Sequence, residues 1–290
     1  MHYRSVFRPG LFHDRTVIIT GGGSGIGRCT AHELASLGAA VALLGRKLEK
    51  LAAVRAEILA AYAGADVSCH ACDIREEECV RETVAAIVGQ HGRIDGLFNN
   101  AGGQYPAPLK EISQKGWETV IRTNLTGGFL MARECYTQWM EENGGAIVNI
   151  LADMWNGMPG MGHSGAARAG MLNFTETAAC EWAHAGVRVN AVAPGWIASS
   201  GFETYPPEFR ALARTLKRKV PLQRFGTEAE VSAAVVFLLS EAAGFITGSC
   251  VRIDGGVPNA RQPWPLNSHD RSQPYQGFPL SRPPAWMLEE

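Results

Sequence analysis

No apolar run in this 290-residue chain reaches the roughly 18 residues that cross a membrane. The start, Met1-His2-Tyr3-Arg4, has no apolar h-region, so no signal peptide is expected. The end, Met287-Leu288-Glu289-Glu290, is not an SKL-type peroxisomal address. A cytoplasmic setting and no membrane partner are the expectation. Charge of one sign is not in excess: 27 Lys+Arg against 28 Asp+Glu leave a net charge of −1. That balance gives no electrostatic support to a nucleic-acid or membrane-surface role. A disulfide or zinc framework is missing too. Seven cysteines (29, 69, 72, 79, 135, 180, 250) are scattered and odd in number, as in a reduced compartment. Cys69-His70-Ala71-Cys72 has CxxC form, yet zinc would need a second ligand pair at suitable spacing. Buried or inert cysteine is the expectation, and no metal site. The remaining composition, 46% hydrophobic and 19% charged, is that of a soluble globular chain able to bury a core without staples.

Glycine, in contrast, is concentrated where it matters. Thr20-Gly21-Gly22-Gly23-Ser24-Gly25-Ile26-Gly27-Arg28 follows the apolar run Thr16-Val17-Ile18-Ile19 and precedes a helical pattern to Leu37. Strand, glycine turn and helix are the context of a dinucleotide-binding loop. Glycine lets the backbone turn sharply and approach a pyrophosphate, which the free N–H groups of the helix start then meet. Gly21, Ser24, Gly25, Ile26 and Gly27 are the expected cofactor contacts in this loop.

Apolar and helical stretches then alternate. Strands are expected at 17–19, 39–44, 67–72, 94–98, 146–150, 187–192 and 250–253. Helices are expected at 29–37, 47–62, 76–91, 114–140 (with a bend at Gly127-Gly128), 164–185, 207–218 and 228–239. Thr227 and Glu230 form a capping box for the last of these. Residues 193–205 read as loop. This alternation predicts an α/β fold: one Rossmann-like, doubly wound parallel sheet flanked by helices. The expected divisions are a polar lead-in over 1–13, a nucleotide-binding reductase domain over 14–256, and a Pro-rich arm over 257–290. The arm holds seven of the fifteen prolines, which excludes a sheet or long helix. Its Trp264, Tyr275, Phe278 and Trp286 suit an arm laid on a surface, expected to be a neighbouring subunit, better than a disordered tail.

The end of the second strand reads Leu44-Gly45-Arg46-Lys47. An NAD site usually places a carboxylate there for the ribose 2′-hydroxyl. Here Arg46, with Lys47 beside it, offers a fork suited to a 2′-phosphate, so NADPH (NADP) is expected over NADH. Asp73 and Ile74 end the third strand, and Asp73 either meets the adenine amino group or caps a helix. Asn99-Asn100-Ala101-Gly102 follows the fourth strand at the expected switch of sheet topology. Asn124 is a polar residue inside a helix. Pro194, Gly195 and Ile197, in Ala193-Pro194-Gly195-Trp196-Ile197, are placed to set backbone against the nicotinamide.

In this order and spacing, TGGGSGIG, NNAG, the Asn124 helix and PGWI resemble the short-chain dehydrogenase/reductase superfamily over residues 14–256. The resemblance implies a Ser, a Tyr and, four residues after the Tyr, a Lys as catalysts. The corresponding places here hold Leu151, Ser164 and Arg168. Arg168 can donate to ribose hydroxyls but cannot relay protons, and Ser164 is too weak an acid to protonate an alkoxide unaided. Carbonyl–alcohol interconversion is thus disfavoured, whereas hydride addition to an activated C=C needs only donors at a thioester oxygen and a later proton at the α-carbon. HSGAARAG, GRKLEKL and KGWETVIRTNLTGGF are similar to peroxisomal trans-2-enoyl-CoA reductases, with 2,4-dienoyl-CoA reductases as a sister group. That resemblance implies an acyl-CoA or related thioester substrate, NADPH and a dimer or tetramer.

Asn124, Asp153, Ser164 and Arg168 are therefore the candidate catalytic residues. Asp153 either donates the α-carbon proton or is a plain loop residue. His163 and Tyr105 each have a pocket reading and a packing reading, and Lys217, Arg218 and Lys219 either meet CoA phosphates or form a solvated turn. Three functions stay open: an enoyl-thioester reductase, a carbonyl reductase with another acid, and a non-catalytic NADP(H)-binding protein.

Overall fold

Five consecutive apolar or threonine residues, Thr16–Thr20, form β1 and are all buried. They sit at the centre of a sheet because both of their faces are apolar, the mark of a parallel strand covered on both sides. The computed structural model describes residues 2–200, 215–260, 266, 268–284 and 287. Its elements follow in order as α1 (Gly25–Ser36), β2 (Ala40–Gly45), α2 (Leu48–Ala61), β3 (Val67–Ala71), α3 (Glu77–His91) and β4 (Gly96–Asn99). Next come α4 (Gln114–Ile121), α5 (Gly127–Cys135), α6 (Glu141–Asn143), β5 (Gly145–Ile150), α7 (Gly162–Glu181) and β6 (Val187–Pro194). The described chain closes with β7 (Ile197–Ala198), β8 (Gly226–Thr227), α8 (Glu228–Leu239) and β9 (Cys250–Ile253).

The seven-stranded sheet has the order β3-β2-β1-β4-β5-β6-β9, and each neighbouring pair is parallel. This is the expected α/β, Rossmann-like architecture. Strand order reverses between β1 and β4, paired through Val17–Gly96, Ile18–Leu97 and Ile19–Phe98. The loops leaving these strands therefore diverge and open a crevice at their carboxyl ends.

Alternation along the strands divides the core into two layers. Val17, Ile19, Leu43, Phe98, Val148 and Val192 face Leu34 of α1 and Val231 and Val235 of α8. Ile18, Leu44, Leu97, Ile147 and Val189 face Val80, Val84 and Ile87 of α3 and Met131 of α5. Each such side chain contributes about 1.5–3 kcal/mol on burial, which is why no staple is needed. Among the described residues no helix is long and apolar enough to cross a membrane.

Several expectations are refined. The stretch 114–140 is helical, but π turns interrupt it at Arg122–Thr126 and Tyr136–Met140. Gly127 is needed there because a Cβ would stand 2.7 Å from Ile74. The capping box of Thr227 and Glu230 is present. The expected loop 193–205 instead begins with the end of β6 and includes β7, which pairs with β8. The expected helix 207–218 lies largely outside the described residues, and Lys217–Lys219 form a 3-10 turn.

The lead-in is not simply polar. Tyr3 and Phe12 are buried, and the Tyr3 hydroxyl donates to Glu33 of α1 at 3.0 Å. The described part of the Pro-rich segment lies on its own chain, where a neighbouring subunit had been expected. Phe278 packs with Tyr3, Cys29 of α1 and Ala229 of α8. Arg28 Nη1 donates to Leu280 O at 3.1 Å, and Thr227 Oγ1 donates to Tyr275 O at 2.8 Å. Backbone that cannot join a sheet is tied here by side chains reaching out from α1 and α8. Trp264 and Trp286 lie outside the described residues.

Candidate active site

Two loops, one after β1 and one after β4, are bound to each other before any ligand arrives. Thr20 Oγ1 accepts from the N–H groups of Asn100 and Ala101, both at 2.9 Å. Asn100 Nδ2 donates to Thr20 O at 3.0 Å. Gly21 and Gly25 have φ of +68° and +56°, a region costly to other residues. A Cβ on Gly27 would stand 2.5 Å from Gly21 O, so Gly27 supports the loop from behind and does not line the cleft. The resulting cleft, ≈ 610 Å³, is lined by Gly21, Ser24, Gly25, Ile26, Asn100, Ala101 and Gly102. It is a backbone cradle at a helix start, the form a pyrophosphate requires.

At one end Arg46, Asp73, Ile74 and Arg75 line the cleft. Lys47 does not; it is the N-cap residue of α2. Arg75 grips Asp73 with Nε to Oδ1 at 2.8 Å and Nη2 to Oδ2 at 2.5 Å. This hydrogen-bonded guanidinium holds the Asp73 carboxyl below the usual carboxylate range. Asp73 is thus present at the expected wall, with its carboxylate engaged by a second cation beside Arg46. Arg75 escaped the sequence reading, although a basic residue two places after Asp73 was a usable signal.

At the other end the cleft is walled by Ile150, Leu151, Arg168, Pro194, Gly195 and Ile197. Arg168 comes from α7 and is buried; its Nη1 donates to Ile150 O at 2.6 Å. Burial alone pushes this guanidinium down to about 10, which leaves it charged at neutral pH. Its buried Nε has no partner, so an N–H stands ready where the ribose of a dinucleotide would supply hydroxyls. The cradle and this donor together fit a dinucleotide.

Ser164, one helical turn before Arg168, is fully buried and does not line the cleft. Its Oγ donates to Gln104 Oε1 at 2.6 Å, and Gln104 does line the cleft. Sequence spacing gave no sign of Gln104, because the contact joins residues sixty positions apart. Asn124 uses both ends of its amide on one peptide: Oδ1 accepts from Gly103 N at 2.8 Å and Nδ2 donates to Gly103 O at 2.9 Å. It pins the loop that carries Gln104. His163 Nδ1 accepts from Ser164 N at 2.9 Å, and Tyr105 stands edge-on to the ring at 4.6 Å. His163 is fully buried, whereas Tyr105, the residue after Gln104 in the loop, is exposed. Lys217, Arg218 and Lys219 do not line the cleft.

Asp153 is set apart from the cleft wall. Its N–H donates to Pro194 O at 3.1 Å, and its buried Oδ1 has no partner. Burial first, then repulsion from Asp254, raises its pKa, against a smaller pull from Arg252. A carboxyl raised in this way is unpenalised below its unfolded pKa and destabilises the fold once pH exceeds its folded pKa. Asp153→Asn is expected to leave kcat within about threefold, the scatter of small indirect effects, and to raise Tm at pH 8 more than at pH 4. A fall in kcat beyond tenfold would return Asp153 to the list of proton donors.

With this geometry in view, the relatives are informative. The chain belongs to the short-chain dehydrogenase/reductase superfamily, and the family model described as enoyl-(acyl carrier protein) reductase matches residues 21–258. A Bacillus subtilis (strain 168) protein named "Probable 2,4-dienoyl-CoA reductase" is 38% identical over 246 residues, 83% of this chain and 96% of that one. A solved citronellol catabolism dehydrogenase of Pseudomonas aeruginosa PAO1 is 62% identical with a TM-score of 0.79, covering 88% of this chain and 99% of that one. Levodione reductase of Leifsonia aquatica is 35% identical over 254 residues, 84% of this chain and 94% of that one. Membership makes the protein an oxidoreductase of a family that binds NAD(P).

Proposed function

We propose that this protein is an NADPH-dependent reductase of the C=C bond of an α,β-unsaturated acyl thioester. One observation carries the reading. Among the described residues lining the cleft there is no Tyr, Lys or His, and the single carboxylate, Asp73, is held by Arg75 at the adenosine end. A carbonyl reductase must deliver a proton to the oxygen it reduces. A C=C reductase needs only hydrogen bonds at the thioester oxygen.

When bound, the dinucleotide supplies a hydride for the β-carbon of the substrate. The glycine loop and Asn100-Ala101-Gly102 hold the pyrophosphate and keep water from that wall. Arg168 holds the ribose hydroxyls, and Arg46, supported by Arg75, takes the 2′-phosphate. Arg46→Ala is expected to weaken NADPH by about 10- to 100-fold, the 1.5–3 kcal/mol of a hydrogen bond to a charged group. NADH affinity, measured in the same fluorescence titration, should change by less than about twofold. Equal losses for both nucleotides would remove the 2′-phosphate role.

The citronellol relative favours a second reading, oxidation of an acyclic terpenoid alcohol, and suggests a branched acyl chain for the first. NADPH absorbance is followed with crotonyl-CoA and with acetoacetyl-CoA, and NADP reduction with citronellol. Turnover of the enoyl thioester alone supports the proposal, and turnover of the ketone or alcohol alone defeats it. NADPH binding without turnover of any substrate would indicate a non-catalytic role.

A further inference from the structure

The glycine loop presents Gly25 to the cleft, and a carboxyl from another helix stands against the same residue without lining the cleft. A Cβ on Gly25 would lie 3.9 Å from Glu228 Oε1. Glu228 is 3% exposed and begins α8. Gly25 begins α1, whose first turn holds no acidic residue and whose N-cap Ser24 makes no side-chain cap. The positive end of α1 is therefore approached by Glu228 and, on binding, by a pyrophosphate in the cleft.

Little around Glu228 balances a second negative charge. Arg28 of α1 attracts it, but that guanidinium is committed elsewhere: Nε donates to Glu57 Oε2 at 2.7 Å and Nη1 to Leu280 O at 3.1 Å. The Cys29 thiol of α1 is pushed well up, by burial first and then by Glu228, and stays neutral. Glu33, one turn beyond Cys29, accepts from Tyr3, Ser5 and Ser232. Glu230, two residues along α8, is paired with Arg224. From the C-terminal segment, Ser281 Oγ donates to Glu228 Oε2 at 3.4 Å. Burial pushes the Glu228 carboxyl up to about 7, with Arg28 and then Ser281 opposing. Near neutral pH a change in nearby charge therefore alters its protonation.

We infer that Glu228 couples dinucleotide binding to proton uptake: as the pyrophosphate settles on the glycine loop, the Glu228 carboxyl takes a proton from solvent, and at high pH its charge opposes binding. This rests on the cleft holding the pyrophosphate at the glycine loop, and it is independent of which bond is reduced. The bound anion favours the neutral carboxyl. The bound state then holds more protons than the free one, so affinity falls as pH rises through the titration of Glu228. By reciprocity, whatever the proton does for the dinucleotide, the dinucleotide does for the proton.

The test is NADPH binding to the full chain across roughly pH 5.5 to 8.5, a window spanning the Glu228 titration, by fluorescence titration of wild type and Glu228→Gln. The 2′-phosphate titrates near about 6 but is common to both proteins, so the ratio of their Kd values isolates Glu228. At the acid end the two Kd values are expected to agree within about twofold, since both side chains are then neutral. At the alkaline end wild type is expected to bind about tenfold more weakly than the variant, as for two charges separated by a layer of backbone at an effective dielectric of about 20. NADH, which lacks the 2′-phosphate, should show the same ratio. Calorimetry with NADH near pH 7.5, in buffers of different ionisation enthalpy, should show wild type taking up about half a proton. That measurement needs no variant. A Kd ratio within twofold across the whole range overturns the inference, as does zero proton uptake or proton release by wild type. Failure of crotonyl-CoA turnover would defeat the C=C reading and leave these binding results standing.

Discussion

Phe278→Ala is expected to lower the unfolding free energy by about 3–5 kcal/mol, the range for truncating a buried aromatic side chain. Phe278 is 3% exposed although it belongs to a segment without regular structure. Its ring stacks on Tyr3 at 5.9 Å and lies 5.0 Å from His32, and Arg28 stands over its face at 5.0 Å. The neighbouring backbone is bound on both sides: Arg4 N donates to Gly277 O at 2.8 Å, and Arg28 holds Leu280 O. Loss of the ring would leave a cavity over Cys29 and Ala229. Urea unfolding of the two proteins measures the difference. A change below about 0.5 kcal/mol, the size typical of surface positions, would mean that the segment only rests on the domain.

Glu228→Gln is expected to stabilise the protein at pH 8 by about 4 kcal/mol and to be nearly neutral below pH 4. Glu228 is 3% exposed at the first turn of α8, beside Arg28 and Ser281. Burial pushes its carboxyl up to about 7, with Arg28 and then the Ser281 hydrogen bond acting in the other direction. In the unfolded chain the group ionises near 4.3. The folded state therefore binds an extra proton between about 4.3 and 7, and stability falls as pH rises through that window. Below it both states are protonated, and the contribution is fully present. At 1.36 kcal/mol per pKa unit the penalty above pH 7 is about 4 kcal/mol. Glutamine removes the charge and keeps a hydrogen-bonding group for Ser281. Thermal or urea unfolding from pH 4 to pH 8 should show a gain for Glu228→Gln that grows with pH; a pH-independent difference would show that Glu228 stays ionised when folded.

These two predictions concern contacts that local sequence does not reveal. The Pro-rich segment was legible as irregular and as carrying aromatic residues that need cover. Its docking place was not, because the groove consists of Tyr3, Cys29 and Ala229, residues far apart in the chain. Glu228 has a similar history. The capping box of Thr227 and Glu230 could be read from spacing alone. The glutamate beside them is buried, and it accepts a hydrogen bond from Ser281 of the tail.

The site divides in the same way. Gly21, Ser24, Gly25, Ile26, Asn100, Ala101 and Gly102 were readable because they lie in short contiguous motifs at strand ends, where backbone geometry demands their residue types. Arg46 and Arg168 were readable from their offsets. Gln104 was not, since its pairing with Ser164 joins a loop to a helix. Asp153 and Lys47 were placed at the cleft by sequence offset, and neither is among the residues that line it.

What the sequence determined by itself is the order of strands and helices, the dinucleotide loop and the replacement of the usual catalysts by Leu151, Ser164 and Arg168. The first two follow from local periodicity and local turn chemistry, and the third from the resemblance of short motifs to the family. Tertiary structure alone decided which side chains meet across the cleft, where the C-terminal segment docks and which carboxyls are taken from water. Those outcomes depend on burial and on contacts between distant segments, and no local pattern encodes them.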